Sequence, residues 1–189
     1  MNGSKPTGDA QEAAPHAGAP PLGFRTAAPD DAPAVHELYL DTPGYFALLS
    51  IPLPSEREVR VELEAASADP RRRCELIVDT RAPAEAGPLG YLDVTVDYPG
   101  PGDATVNLLL VRGGLQGRGI GTATMRALES RLSGRVERVL ASVYGKNEEA
   151  ERFWRGLGYA FAIDAGPVLE WYAKRLSDPP DGTNAEGRP

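Results

Sequence analysis

Five glycines fall within residues 113–121, between an apolar run and an amphipathic one, in the stretch LLLVRGGLQGRGIGTATMRAL at 108–128. The apolar run has strand composition. The segment after the glycines repeats Ile120, Ala123, Met125, Ala127, Leu128 and Leu132 along a helical stripe, and Ser133 and Gly134 end it. This spacing predicts a strand to Val111, a glycine-rich turn, and a helix from about Arg118. Main-chain N–H groups at a helix N-terminus form an anion site that the helix dipole reinforces. Glycines let a ligand approach the main chain where a Cβ would stand in the way. The expected visitor is a phosphate-bearing molecule.

The rest of the chain must supply one domain around this turn. With 189 residues, 41% of them hydrophobic, a single core can form without help. Residues 1–22 and 177–189 are rich in Ala, Pro, Gly and polar residues with no periodic apolar face, so disordered tails are expected on either side of a domain at 23–176. No signal-like run of ~7–15 apolar residues follows a basic start, and no window reaches the ~18 consecutive apolar residues of a membrane span. A cytoplasmic protein without membrane contact is therefore expected. Three of the seven net negative charges lie in the terminal segments, which leaves −4 on the domain and argues against a nucleic acid partner. A single cysteine, Cys74, and two histidines leave no disulfide framework and little for a metal site; a buried, inert thiol is expected.

Periodicity gives the order of elements. GFRTAA reads as a strand, PDDAPAVHELYL as a helix, and DTPGYFALLSIPLP as a loop or broken helix. Ser55 and Glu58 have the spacing of a capping box and open a helix to about Ala66. CELIVDT, GYLDVTVDY and ATVNLLLV then read as three strands, antiparallel to one another. After the glycine turn and its helix come the strand VERVLASVY, the helix NEEAERFWRGLG, and the strands YAFAID and VLEWYAKRL. This is an α/β chain of α+β type, with a mixed, mostly antiparallel sheet and about four helices.

Phosphate-binding turns differ in spacing. A Walker loop needs a Gly-Lys pair before Ser or Thr, and no such lysine is present. A dinucleotide fingerprint needs an acidic residue at the end of the next strand, whereas Glu137 stands at its beginning. The residues present are Gln116, Gly117, Arg118, Gly119, Ile120 and Gly121, a Q-x-x-G-x-G pattern. This resembles the acyl-CoA pyrophosphate loop of the GNAT N-acetyltransferase superfamily. Downstream, Asn147, Ala150, Phe153, Gly158 and Tyr159 are similar to that family's N-x-x-A-x-x-F-Y-x-x-x-G-F segment. The resemblance covers about residues 24–176.

The resemblance implies a single GNAT-like domain whose sheet is splayed between its fourth and fifth strands, with the pantetheine arm of acetyl-CoA lying in the gap as co-substrate. Leu109, Leu110 and Val111 would bond the arm through their main chain. The N–H groups of Gln116, Gly117, Arg118, Gly119, Ile120, Gly121 and Thr122 would hold the pyrophosphate. Asn147 matches a position on the pantetheine side, and it also suits a helix N-cap. Phe153 would pack under the cofactor or in the core. The implied chemistry is direct acetyl transfer to an amine, with a backbone N–H of Leu109 or Leu110 as oxyanion donor. Dimers are common in that family, so a homodimer is one expectation for assembly.

Two positions depart from the family pattern. The tyrosine that commonly protonates the leaving thiolate is replaced by Trp154, whose indole N–H is no acid at neutral pH. Tyr144, at the end of the neighbouring strand, is a candidate acid in its place, against an exposed strand-end tyrosine, with protonation by water or unassisted departure of the thiolate as the other routes. Many relatives place a carboxylate early in the fourth strand, where this chain has Thr105 and Asn107. Asp93 and Asp97 share a strand face with Tyr91 and Thr95, and Asp93 stands among apolar neighbours, so it is the candidate base or acceptor contact, against a structural hydrogen bond. Asp41, Tyr45 and Phe46 lie where the first two helices of the family shape an acceptor pocket. The implied function is N-acetylation of a primary amine on a small molecule. The alternatives are a protein or peptide acceptor, or an acyl-CoA-binding module without turnover.

Overall fold

The computed structural model describes residues 19–164 and 169–176. Seven strands, β1 (Leu22–Thr26), β2 (Arg72–Asp79), β3 (Gly90–Val96), β4 (Asp103–Val111), β5 (Arg138–Tyr144), β6 (Ala160–Asp164) and β7 (Leu169–Arg175), form one sheet. Its order is β1-β2-β3-β4-β5-β7-β6, and every neighbouring pair is antiparallel except β4 and β5. The described residues contain five α-helices: α1 (Ala32–Asp41), α2 (Pro43–Leu49), α3 (Glu56–Ala68), α4 (Ile120–Leu132) and α5 (Glu148–Gly156). The mixed, mostly antiparallel α/β architecture agrees with the sequence pattern.

The helix beyond the expected four is α2. Pro43 reads as a breaker, but it sits at the first helical turn, where a missing N–H costs nothing, and Ser50 in the left-handed conformation stops the helix soon after. The capping box of α3 is present: Ser55 Oγ accepts from the Glu58 N–H at 3.3 Å and Glu58 Oε2 accepts from the Ser55 N–H at 2.7 Å. Pro21 O accepts from the Thr80 N–H at 3.0 Å, so pairing begins ahead of the expected boundary at 23. The rest of the predicted tails, 1–18 and 177–189, lies outside the described residues. No helix among those described is long and apolar enough to cross a membrane.

Each sheet face carries its own core. Val35 and Leu38 of α1 and Val59 and Leu63 of α3 pack on Leu76, Tyr91 and Leu110. On the other face Ile120, Met125 and Leu128 of α4 and Trp154 of α5 pack on Leu92, Val106, Val139 and Ala141. Each fully buried aliphatic side chain of this kind contributes about 1.5–3 kcal/mol.

The feature that makes a site is a gap in the sheet. β4 and β5 pair only from Asp103 and Arg138 to Val106 and Ala141. Beyond that, β4 follows β3 as far as Val111 opposite Gly90, while β5 follows β7 as far as Tyr144 opposite Leu169. Residues 107–111 and 142–144 therefore face each other across a V. The strands part where β4 carries one extra residue: Leu108 is opposite Asp93 and Val106 opposite Val94, which leaves Asn107 as a bulge. A bulge bends its strand and increases the local twist. At the closed end Arg138 Nε donates to Asp103 Oδ1 at 2.5 Å, tying the two strands together.

Candidate active site

The connection from β4 to α4 is a short 3-10 turn, Gly113–Leu115, and an exposed loop. Gly117 and Gly119 have φ of +73° and +79°, a region glycine occupies at no steric cost. Gly119 is the N-cap of α4, with no side-chain cap and no acidic residue in the first turn, so the leading N–H groups are left without an intrahelical partner. Arg118 is exposed beside them, Thr122 is half-buried, and the Ile120 side chain belongs to the core, so only its main chain is available to a ligand. These groups make a cradle suited to an anion.

The remaining loop residues have structural partners. A Cβ on Gly121 would lie 3.2 Å from Phe153 Cε2, so an aromatic ring claims that space. Gln116 Nε2 donates to Val111 O at 3.0 Å and ties the loop back to its strand. The Gly113 N–H donates to Asp41 Oδ2 at 2.6 Å, and a Cβ there would lie 2.9 Å from Asp41 O. Asp41, placed by the resemblance near an acceptor pocket, has one carboxylate oxygen fixing the turn against the end of α1.

Strand alternation decides which groups face the gap. The Arg112 N–H donates to Leu89 O at 2.8 Å, so main-chain groups of Arg112 and Leu110 turn to β3 and those of Val111 and Leu109 turn into the V. Leu110 O approaches Gly90 so closely that a Cβ on Gly90 would overlap it. Of the two expected oxyanion donors, only Leu109 points its N–H at the gap. Asn147 caps α5, its Oδ1 accepting from the Ala150 N–H at 3.0 Å. Trp154 is buried, with ring centroids 4.9 Å from Phe153 and 5.0 Å from Tyr159, and acts as packing.

On the α3 side, polar residues converge where the strands part. Asp93 is 3% exposed, and both its oxygens are held by Arg72, whose Nε donates at 3.0 and 3.1 Å. Arg72 also donates to Glu62 of α3 at 2.8 Å. Asn107 Nδ2, in the bulge, donates to Asp93 Oδ1 at 3.0 Å and to Thr95 Oγ1 at 2.8 Å. The structural hydrogen bond weighed for Asp93 is therefore present, within a row running from α3 across three strands. Its companion Asp97 lies beyond the end of β3, with Oδ1 accepting from the Gly102 N–H at 3.1 Å.

Above this row lies α2. Tyr45 is half-buried, and desolvation, with the Tyr144 hydroxyl and the carboxylates of Glu62 and Asp93 nearby, pushes its phenol up to about 12. Phe46, expected as a pocket wall, is instead core, its centroid 4.8 Å from Tyr39. Leu48 approaches Gly145, just past β5, within ordinary van der Waals range of a Cβ there. The α1–α2 segment thus bonds to the turn after β4 through Asp41 and approaches the end of β5 through Leu48.

A family model for the acetyltransferase (GNAT) family matches residues 32–159. The chain belongs to the GNAT acetyltransferase family. A crystal structure of an acetyltransferase from Thermus thermophilus is 38% identical, with a TM-score of 0.76 over 82% of this chain and 96% of that one. An aminoglycoside acetyltransferase in complex with coenzyme A is 18% identical with a TM-score of 0.67, covering 82% of this chain and 95% of that one. An acetyl transferase from Salmonella typhimurium that modifies the N-terminal serine of a 50S ribosomal subunit protein is 17% identical with a TM-score of 0.68, over the same shares. The last two share the fold. No curated protein matches the chain.

Within this GNAT domain, Arg72, Glu62 and the bulge at Asn107 are site features that sequence reading missed. The sequence signals were the isolated Asp93 in an apolar strand, which called for a partner without naming it, and the place of Asn107 early in the fourth strand. Among the described residues no three His, Cys, Asp or Glu side chains gather as a metal site.

Proposed function

We propose that this protein is an acetyl-CoA-dependent N-acetyltransferase acting on a primary amine of a small molecule. The observation that carries the reading is the continuity of the V with the uncapped N-terminus of α4: an unpaired strand edge leads directly to a glycine-rich anion cradle. The residues fit acetyl-CoA. Cleft-facing main-chain groups of Leu109 and Val111 suit an extended amide-bearing arm, and the 116–122 loop suits a pyrophosphate. Asn147 adds a side chain on the β5 side, its Nδ2 being left over by the cap.

Bound there, acetyl-CoA supplies a thioester at the point where the strands part. The Leu109 N–H then donates to the carbonyl oxygen as negative charge builds on it. A neutral amine attacks the carbonyl carbon from the α2–α3 face, the C–N bond forms, and collapse breaks the C–S bond. The proton given up by nitrogen ends on sulfur, through water or through Tyr144, which is 36% exposed on the cleft wall. Products are an amide and a free thiol.

A small acceptor is favoured because Leu48 of α2 reaches Gly145 past the end of β5 and Tyr45 lies close enough to Tyr144 to feel its charge, so α2 stands over the acceptor side. The test is thiol release from acetyl-CoA with an aminoglycoside, an amino acid amide, a polyamine and an N-terminal serine peptide. Turnover of a small amine supports the reading. Turnover of the peptide alone would replace it with a protein acceptor, and tight binding without turnover would replace it with a binding module.

A further inference from the structure

At the position where the strands separate, the chain offers an amide whose orientation is fixed. Asp93 is clamped by Arg72 and, as a carboxylate, can only accept hydrogen bonds. Asn107 must therefore present its nitrogen to Asp93, since a flipped amide would set two acceptors against each other at 3.0 Å. The second Nδ2 hydrogen is taken by Thr95 Oγ1. Both donors of Asn107 are thus used, both toward β3, and no donor among the described residues bonds to its Oδ1. With its nitrogen held to β3, the amide keeps its oxygen without a partner beside the place where β4 and β5 part.

We propose that Asn107 is the residue that orients the acceptor amine, its Oδ1 accepting one amine N–H so that the nitrogen lone pair faces the thioester carbon. Arg72, Asp93 and Thr95 are positioning residues, which act by fixing the rotamer and flip of Asn107. The inference rests on the acetyltransferase reading above. Its chemical consequence is specific. An amide oxygen orients a proton but does not keep one, so the amine must be neutral when it attacks, and the proton lost from nitrogen passes to the departing sulfur by way of water or Tyr144. No ionisable side chain of the protein need change state at this position.

The test uses the full chain, with acetyl-CoA affinity measured by calorimetry beside steady-state kinetics on the amines that turn over. For Asn107→Ala, kcat/KM for the acceptor should fall about 10–100-fold, the effect of one well-placed hydrogen bond in a confined site, while acetyl-CoA affinity stays within about twofold. Thr95→Val, which removes one of the two anchors and leaves Asp93 in place, should give a smaller fall of the same kind, and it serves if Asn107→Ala does not fold. A second readout is the acidic limb of kcat at saturating acceptor, which should shift with the basicity of the amine when two acceptors are compared. Unchanged acceptor kinetics in a folded variant that binds acetyl-CoA would overturn the proposal, as would an acidic limb fixed at one pH for both amines. Loss of acetyl-CoA binding by the unaltered protein would instead remove the cofactor reading beneath it.

Discussion

Phe153 lies against Gly121 so closely that a Cβ there would come within 3.2 Å of the ring. Gly121 is thus glycine because α5 packs on the first turn of α4, while Gly117 and Gly119 are glycine because their backbone is left-handed. Gly121→Val should therefore destabilise the fold by about 1–3 kcal/mol through overpacking, lowering the melting temperature. Gly119→Ala should cost about 1–2 kcal/mol through strain and also weaken acetyl-CoA binding, because it alters the direction of the cradle N–H groups. Thermal melts and cofactor titrations of the two variants separate these effects.

Removing the cation from the polar row should be costly. Arg72→Met leaves Asp93, 3% exposed, without its main partner. A loss of about 2–4 kcal/mol is expected from denaturant titration, at the lower end because Arg72 retains 23% side-chain exposure. The double variant Arg72→Met, Asp93→Leu, which removes both charges, should recover much of that loss.

The expected oxyanion donor and the structural residues around it show what a sequence can carry. The capping box at Ser55 and the glycine pattern at 116–121 were legible because each is local: a few residues fix their own turn. The direction of Leu109 against Leu110 was not, because it depends on how β4 registers against β3. Asn107 stood out only by its place early in the fourth strand, and the bulge that sets it was not legible for the same reason, since a bulge exists only between two paired strands. Arg72 and Asp93 are 21 residues apart and meet only once β2 and β3 are side by side. The roles of Asp41 and Phe46 were not legible because a loop rich in Pro and aromatics looks the same whether its side chains line a pocket or fill the core.

The single cysteine should be inert in the native state. Burial pushes the Cys74 thiol up to about 11 from an ordinary value near 9, so the neutral thiol is favoured by folding. A raised native pKa gives stability that is complete below pH 9 and lost as pH rises toward 11, and Tyr45, pushed up to about 12, extends the same trend. Native protein at pH 8 should show negligible reaction with a thiol-specific chromogenic disulfide, and denatured protein should react with one equivalent. Melting temperature should fall between pH 9 and 11.

The tie between Asp41 and Gly113 joins the end of α1 to the loop that leads to the cradle. Asp41→Ala should loosen both, raising the acceptor KM and weakening acetyl-CoA binding together, each by about 3–10-fold, as one lost charge-assisted hydrogen bond at an exposed site allows. An effect on the acceptor alone would mean that Asp41 contacts the amine directly.

A crystal structure of the chain with acetyl-CoA tests the central assignment most directly. The expected result is a pyrophosphate within hydrogen-bonding distance of main-chain N–H groups of the 116–122 loop, with the pantetheine arm beside Leu109 and Val111 and the thioester where β4 and β5 part. Acetyl-CoA bound elsewhere, with the V between residues 107–111 and 142–144 unfilled, would contradict it.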